Sequence, residues 1–193
     1  MTTLMILMPT GGQVDTPAVH SLLGLTQALP RRGIRFALKT YEWSDLVISR
    51  NYLMSCFLAD RKFTHALLLD SDMSYHPQVF FDLLAFEADF TCAPYPQRRM
   101  QWSTFRALIE REAAKPEAER APTDRLFAES LRYNVPQVFD AGQAWPHVVR
   151  DGFRKVPGAG TGFMLIRRAV PERMVETGAA IPVPGFNGPG YPG

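Results

Sequence analysis

Residues 66–72, Ala-Leu-Leu-Leu-Asp-Ser-Asp, constrain this chain more than any other stretch. Four apolar residues in a row read as a strand buried on both faces, and the run ends in two carboxylates, Asp70 and Asp72. No basic residue stands close by in sequence to neutralise them. Like charges at the mouth of an apolar sheet repel one another, and a low dielectric magnifies the repulsion. A divalent cation would relieve it. In open α/β sheets, ligands gather beyond the carboxyl ends of the strands, which is where this pair falls.

The flanking pattern supports such a sheet. Residues 4–8 are apolar and run into Pro9-Thr10-Gly11-Gly12, a buried strand that opens into a loop at its carboxyl end. Thr16-Pro17 starts a helix, in which Val19, Leu22, Leu23 and Thr26 keep helical spacing until Pro30 ends it. Gly33 turns the chain into a strand over 34–38, and the order strand, helix, strand predicts parallel pairing. The next helix spans 44–60, capped by Ser44 or Ser49. Leu46, Leu53 and Phe57 form one edge of its buried stripe, and Val47, Met54 and Leu58 the other. Arg50 and Asn51 fall inside that stripe. A guanidinium there needs an anion: an internal partner, Asp70 or Asp72, or an anionic ligand that also meets the first amides of the helix.

Pro77 opens a helix to residue 87, a short strand covers 90–93, and Pro94-Tyr95-Pro96 forces an extended exit carrying Gln97-Arg98-Arg99. Residues 102–132 are helical and charged, broken at Pro116 and Pro122, with too few apolar residues for a core of their own. They read as an insertion over the sheet, either a solvated helical hairpin or a lid facing an acceptor. A hairpin over 147–149 and 153–156 turns at Asp151-Gly152. Gly158-Ala159-Gly160-Thr161-Gly162 then precedes a strand over 163–166 and the pair Arg167-Arg168. A dinucleotide fingerprint follows a strand and opens a helix, so it is excluded here. The glycines mark a place where backbone passes close to a ligand or another strand. A short helix over 170–177 leads to a tail, 178–193, more than half glycine and proline, in which no regular element is expected.

The organisation expected is one domain over 1–177, with 102–132 inserted, followed by the tail. A net charge of +2, spread along the chain, gives no footprint for nucleic acid. Cys56 and Cys92 sit in apolar runs and read as reduced core thiols, which suits the cytoplasm. The first residues lack a basic cluster and a long apolar run, so no signal or membrane span is expected.

Several separated motifs together resemble one family. A first strand ending in Pro9-Thr10, a helix bearing Ser49-Arg50-Asn51, LLLDSDM closing a central strand, Pro94-Tyr95-Pro96 and finally GAGTGFMLIRR occur in the order of the GT-A glycosyltransferases. The bacterial and phage members of the family-two type are the most similar, and the match covers most of residues 1–177. The resemblance implies an α/β fold, a three-layer sandwich around a mostly parallel central sheet. It implies metal-dependent transfer of a sugar from a UDP- or GDP-linked donor to a glycan, lipid or protein acceptor.

In such enzymes Mn²⁺ or Mg²⁺ bridges the donor pyrophosphate. By resemblance Asp72 is a direct metal ligand, and Asp70 contacts the metal through water or contacts the ribose, with Ser71 beside it at the donor. Hard cations favour such oxygen ligands. Pro9, Thr10 and Gly11 would border the base, Asn51 the ribose or phosphate, and Arg50 the departing diphosphate. Gly160, Thr161 and Gly162 would line the floor where donor and acceptor meet.

The C-terminal region departs from the family. An acidic Glu-Asp pair and a later histidine are missing; only Glu172 and Glu176 follow the glycine motif, while His65 and His147 precede it. The catalytic base therefore has no assignment, and a non-catalytic or truncated nucleotide-sugar-binding module is the alternative. A haloacid-dehalogenase-like phosphatase, with Asp70 as nucleophile, lacks the acidic pair and lysine it needs downstream.

Overall fold

The structure, a computed structural model, describes residues 1–135, 149–156 and 158–181. In chain order the elements are β1 (Thr3–Thr10), α1 (Thr16–Arg31), β2 (Arg35–Glu42), α2 (Leu46–Ala59), β3 (His65–Leu69), α3 (Gln78–Ala85) and β4 (Phe90–Cys92). They continue with β5 (Pro96–Met100), α4 (Trp102–Ala113), α5 (Thr123–Ser130), β6 (Leu131–Tyr133), β7 (Val149–Arg150), β8 (Phe153–Arg154), β9 (Phe163–Arg167) and α6 (Ala169–Glu176). These form two compact units, one of Met1–Ala93 with Thr161–Gly193 and one of Pro94–Gly160.

The first unit carries a five-stranded sheet in the order β2-β1-β3-β9-β4. β1 pairs in parallel with β2 and β3, while β9 pairs antiparallel with β3 and β4. The sheet is thus mixed, because β9 enters between β3 and β4 against their direction. Strand periodicity cannot report this, since burial on both faces looks the same in either direction. Met5, Leu7, Ala66, Leu68, Met164 and Ile166 face one side and pack with Tyr52, Leu53 and Phe57 of α2. Their alternates Leu4, Ile6, Leu67, Leu69, Phe163 and Leu165 are equally buried, so both faces of the sheet are covered.

Helix boundaries follow local chemistry with some changes. α1 takes Asp15 as its N-cap residue, and Pro30 lies in its last turn instead of ending it. The end comes at Gly33, in the left-handed region (φ 69°), where the amides of Arg32, Gly33 and Ile34 close onto the carbonyls of Leu29 and Pro30. α2 is capped by Asp45, whose carboxylate accepts from the Ile48 amide at 2.9 Å, and not by Ser44 or Ser49. Ser49 is buried and donates to the Asp45 carbonyl instead. The buried face is Ser49, Tyr52, Leu53 and Phe57; Leu46, Val47 and Asn51 are exposed, Val47 to 68%. Apolar residues surround this helix, so spacing alone does not select a face, and the stacking of Tyr52 on Tyr41 at 4.3 Å does. Cys56 and Cys92 are free thiols packed against the α2 face of the core. Among the described residues no helix is long and apolar enough to cross a membrane.

In the second unit β5 pairs antiparallel with β6, and α4 and α5 meet through the edge-on rings of Phe105 and Phe127. β7 and β8 form the expected hairpin at Asp151-Gly152; residues 147–148 of that expectation, and 182–193 of the tail, lie outside the described residues. The stretch joining α4 to α5 folds over Glu112, which is only 3% exposed. Its carboxylate accepts from the Ala121 amide at 3.0 Å and from Lys115 at 2.8 Å, with Arg111 alongside at 3.3 Å. The Ala121 amide first, and Lys115 next, hold its carboxyl down to about 2 from an ordinary 4.5. A carboxyl depressed in the folded state contributes stability that is complete above its unfolded value and is lost as the pH falls through its folded one. Glu112→Gln is therefore expected to lower the melting temperature at pH 7, and the gap to the native chain to close between about pH 4.5 and 2. A gap that stays constant over that window would mean the carboxylate charge is not what holds the loop.

Candidate functional site

Parallel pairing brings three strand ends to one edge. Leu7 pairs with Leu68, so Pro9 and Asp70, each two residues further on, lie just past the end of the β1–β3 pairing, while β1 stays paired with β2 as far as Thr10. On the other side Thr10 is in register with Glu42, and the Trp43 amide donates to the Thr10 carbonyl at 3.2 Å. Gly12 adopts φ 92°, and a Cβ there would stand 3.2 Å from the Glu42 carboxylate. Glu42 thus belongs to this edge. Sequence reasoning passed over it because the strand was expected to stop at residue 38; the alternation through Tyr41 was the available signal.

Asp70 is held from several directions. Its amide donates to the Gly162 carbonyl at 2.9 Å, which joins the Asp-Ser-Asp stretch to the glycine motif. Its carbonyl accepts from the Met73 amide at 3.3 Å, closing a tight turn, and the Ser71 carbonyl accepts from the Asp15 amide at 3.0 Å. Its carboxylate lies 2.6 Å from Arg50 Nη2, with the two side chains 22% and 24% exposed. Of the internal partners the sequence left open, Asp70 is engaged. Arg50 Nε is buried and has no partner among the described residues. Buried donors are nearly always satisfied, so this one calls for an acceptor that a turn of the side chain toward a ligand would supply. Asp72 is exposed at the surface of the turn.

The remaining sequence candidates distribute as follows. Pro9 is buried in β1, Thr10 is half-buried, and Gly11 is exposed with open space around it. Asn51 is exposed. Thr161 and the buried Gly162 follow the return of the chain into the first unit, whereas Gly160 belongs to the second. There its amide donates to the Asn134 carbonyl at 2.9 Å, and a Cβ would collide with the Asn134 amide and the Tyr95 hydroxyl, themselves bonded at 2.8 Å. The close approach foreseen at the glycines is thus, for Gly160, to the side chains of Asn134 and Tyr95 in its own unit. Glu172 lies on α6 and reaches Arg168 at 3.5 Å. His65 begins β3, at the opposite end from Asp70, and bonds Thr64 at 2.9 Å. His147 lies outside the described residues.

Whether these residues suit a metal is a question of donor chemistry. Among the described residues no three metal-ligating side chains converge. Two hard carboxylate oxygens at a strand end suit a cation that completes its shell with phosphate and water, as Mg²⁺ commonly does. The unmet donor of Arg50, whose side chain pairs with Asp70, suits the phosphate.

No family model matches this chain, and no curated protein does. Solved structures do. A197 from STIV aligns with 90% of this chain and 68% of its own, at 17% identity and a TM-score of 0.46. A glycosyltransferase involved in the glycosylation of the major capsid of PBCV-1 aligns with 99% of this chain and 72% of its own, at 10% identity and a TM-score of 0.37. Likeness this slight fixes neither a fold nor an activity.

Proposed function

We propose that this chain binds a nucleotide-sugar through its diphosphate and transfers the sugar, with a divalent ion held at Asp70 and Asp72. The observation that carries the reading is the Arg50–Asp70 pair at the carboxyl edge of the sheet, with Arg50 Nε buried beside it and unsatisfied. A positive group and a carboxylate in one partly open site suit a metal diphosphate, which carries both signs. Mn²⁺ or Mg²⁺ bound there would offset charge on the departing diphosphate. Arg50 would hold a phosphate oxygen and steady the same charge. Pro9, Thr10 and Gly11, at the end of the neighbouring strand, would border the base, and Gly162, bonded to Asp70, would keep the floor of the site close. A sheet buried on both faces is in keeping with a three-layer sandwich.

The test is calorimetry with UDP and GDP, with and without Mn²⁺. Binding that needs Mn²⁺ is expected, and Asp72→Ala is expected to weaken it at least about tenfold, the scale of losing one metal ligand. Binding unchanged in Asp72→Ala, or none by either nucleotide, would end the proposal. A second reading, a donor-binding module without turnover, is favoured by one observation: Glu172, an acid downstream of the glycine motif, is engaged with Arg168. Donor binding with neither transfer nor hydrolysis across acceptors would select it.

A further inference from the structure

We propose that Arg50 is an exchangeable counter-ion for Asp70, so that a divalent cation and a diphosphate anion each bind weakly alone and tightly together. The proposal rests on the functional reading above and adds to it a way in which the site is kept closed to metal alone. The resting carboxylate is already neutralised, at 2.6 Å, by a guanidinium. A cation approaching it gains little, because the charge it seeks is offset and a positive group stands beside it. An anion alone gains little for the converse reason, since Arg50 is occupied.

Two features separate this pair from a structural ion pair. The Arg50 side chain keeps a second donor, Nε, buried and unmet, so turning the planar fork from Asp70 toward a phosphate oxygen gives that donor an acceptor it lacks at rest. The backbone of Asp70 is fixed by its bond to Gly162 and by the turn to Met73. Release of the carboxylate therefore needs only a side-chain rotation at a site still 24% open to water. When the guanidinium passes to phosphate, Asp70 becomes available to the metal. The two ligands then favour one another by the same factor, as linkage requires.

Mn²⁺ and inorganic pyrophosphate probe this without assuming a sugar or a base. Free Mn²⁺ is counted by its electron paramagnetic resonance signal, with the whole chain, at several pyrophosphate concentrations. Formation of manganese pyrophosphate in solution is measured separately and subtracted. The native chain is expected to bind Mn²⁺ alone about tenfold more weakly than Arg50→Gln, and pyrophosphate to raise its Mn²⁺ affinity by a factor that largely disappears in the variant. Asp70→Asn should remove Mn²⁺ from both. Arg50→Lys keeps a cation on the helix, guards against a folding defect in the glutamine variant, and should fall between the two.

Equal Mn²⁺ affinity in native and Arg50→Gln chains, with manganese pyrophosphate still bound, overturns the exchange and leaves the functional reading standing. Absence of Mn²⁺ and pyrophosphate from every variant overturns both.

Discussion

Arg168→Met is expected to remove about 3 kcal/mol of stability, the largest loss from any single substitution outside the apolar core. Arg168 lies between β9 and α6, yet its guanidinium reaches the far end of α2. It donates to the carbonyls of Phe57 and Phe63 at 2.6 Å, of Asp60 at 2.8 Å and of Leu58 at 3.3 Å. The last carbonyls of a helix have no partner within it and carry the negative end of its dipole, so a cation there satisfies both needs. The guanidinium also lies over the Phe57 ring at 4.2 Å, and its side chain is 14% exposed. Four charged bonds would add to more than 3 kcal/mol at about 1.5 each, but some of these carbonyls can recover water once the group is gone. Methionine retains the aliphatic stem, so the loss reports the charged head. Urea unfolding measures it. A loss below about 1 kcal/mol would mean that water replaces the clamp without penalty. Arg168→Lys should regain only part, because an ammonium cannot present a flat fork to carbonyls on two segments. The clamp bears on the proposed site because α2 carries Arg50.

Arg168 shows where the sequence was legible and where it was not. The strand 66–69 and its two acids were readable because an apolar run stopped by charge has few folded solutions, and the structure ends β3 at Leu69. The basic pair after the glycine motif was visible too. What Arg168 grips was not, since its partners are backbone carbonyls about a hundred positions earlier, and carbonyls have no letter in a sequence. Arg50 was legible as a charge within an apolar helix that needed an anion, and Asp70 answers it. The face of α2 was not legible, because its apolar residues occur all round, and Leu46 and Val47 were assigned inward when they are exposed. Glu112 was hidden for a third reason: a carboxylate in a charged helix reads as solvated unless the following loop is known to fold back over it.

Asp70→Ala is expected to cost about 2 kcal/mol, and Arg50→Met combined with it to restore most of that loss. Removing one partner of a fully buried pair costs about 3–5 kcal/mol, and an exposed pair is worth 0–1; side chains 22% and 24% exposed fall between these limits. The two single losses should be unequal. Without Asp70 the guanidinium keeps its buried Nε and loses its anion as well. Without Arg50 the carboxylate retains access to water, so Arg50→Met should cost less than Asp70→Ala. In the double variant neither charge is left, and methionine keeps the aliphatic stem of the arginine without a group that needs an anion. A double variant within about 1 kcal/mol of the native chain would show that stability does not require these charges, which is the behaviour of groups kept for a ligand. Chemical unfolding of the four proteins closes the cycle. If the double variant instead loses the sum of the single effects, the two residues do not act as a pair, and neither the exchange between metal and guanidinium nor the site built on it survives.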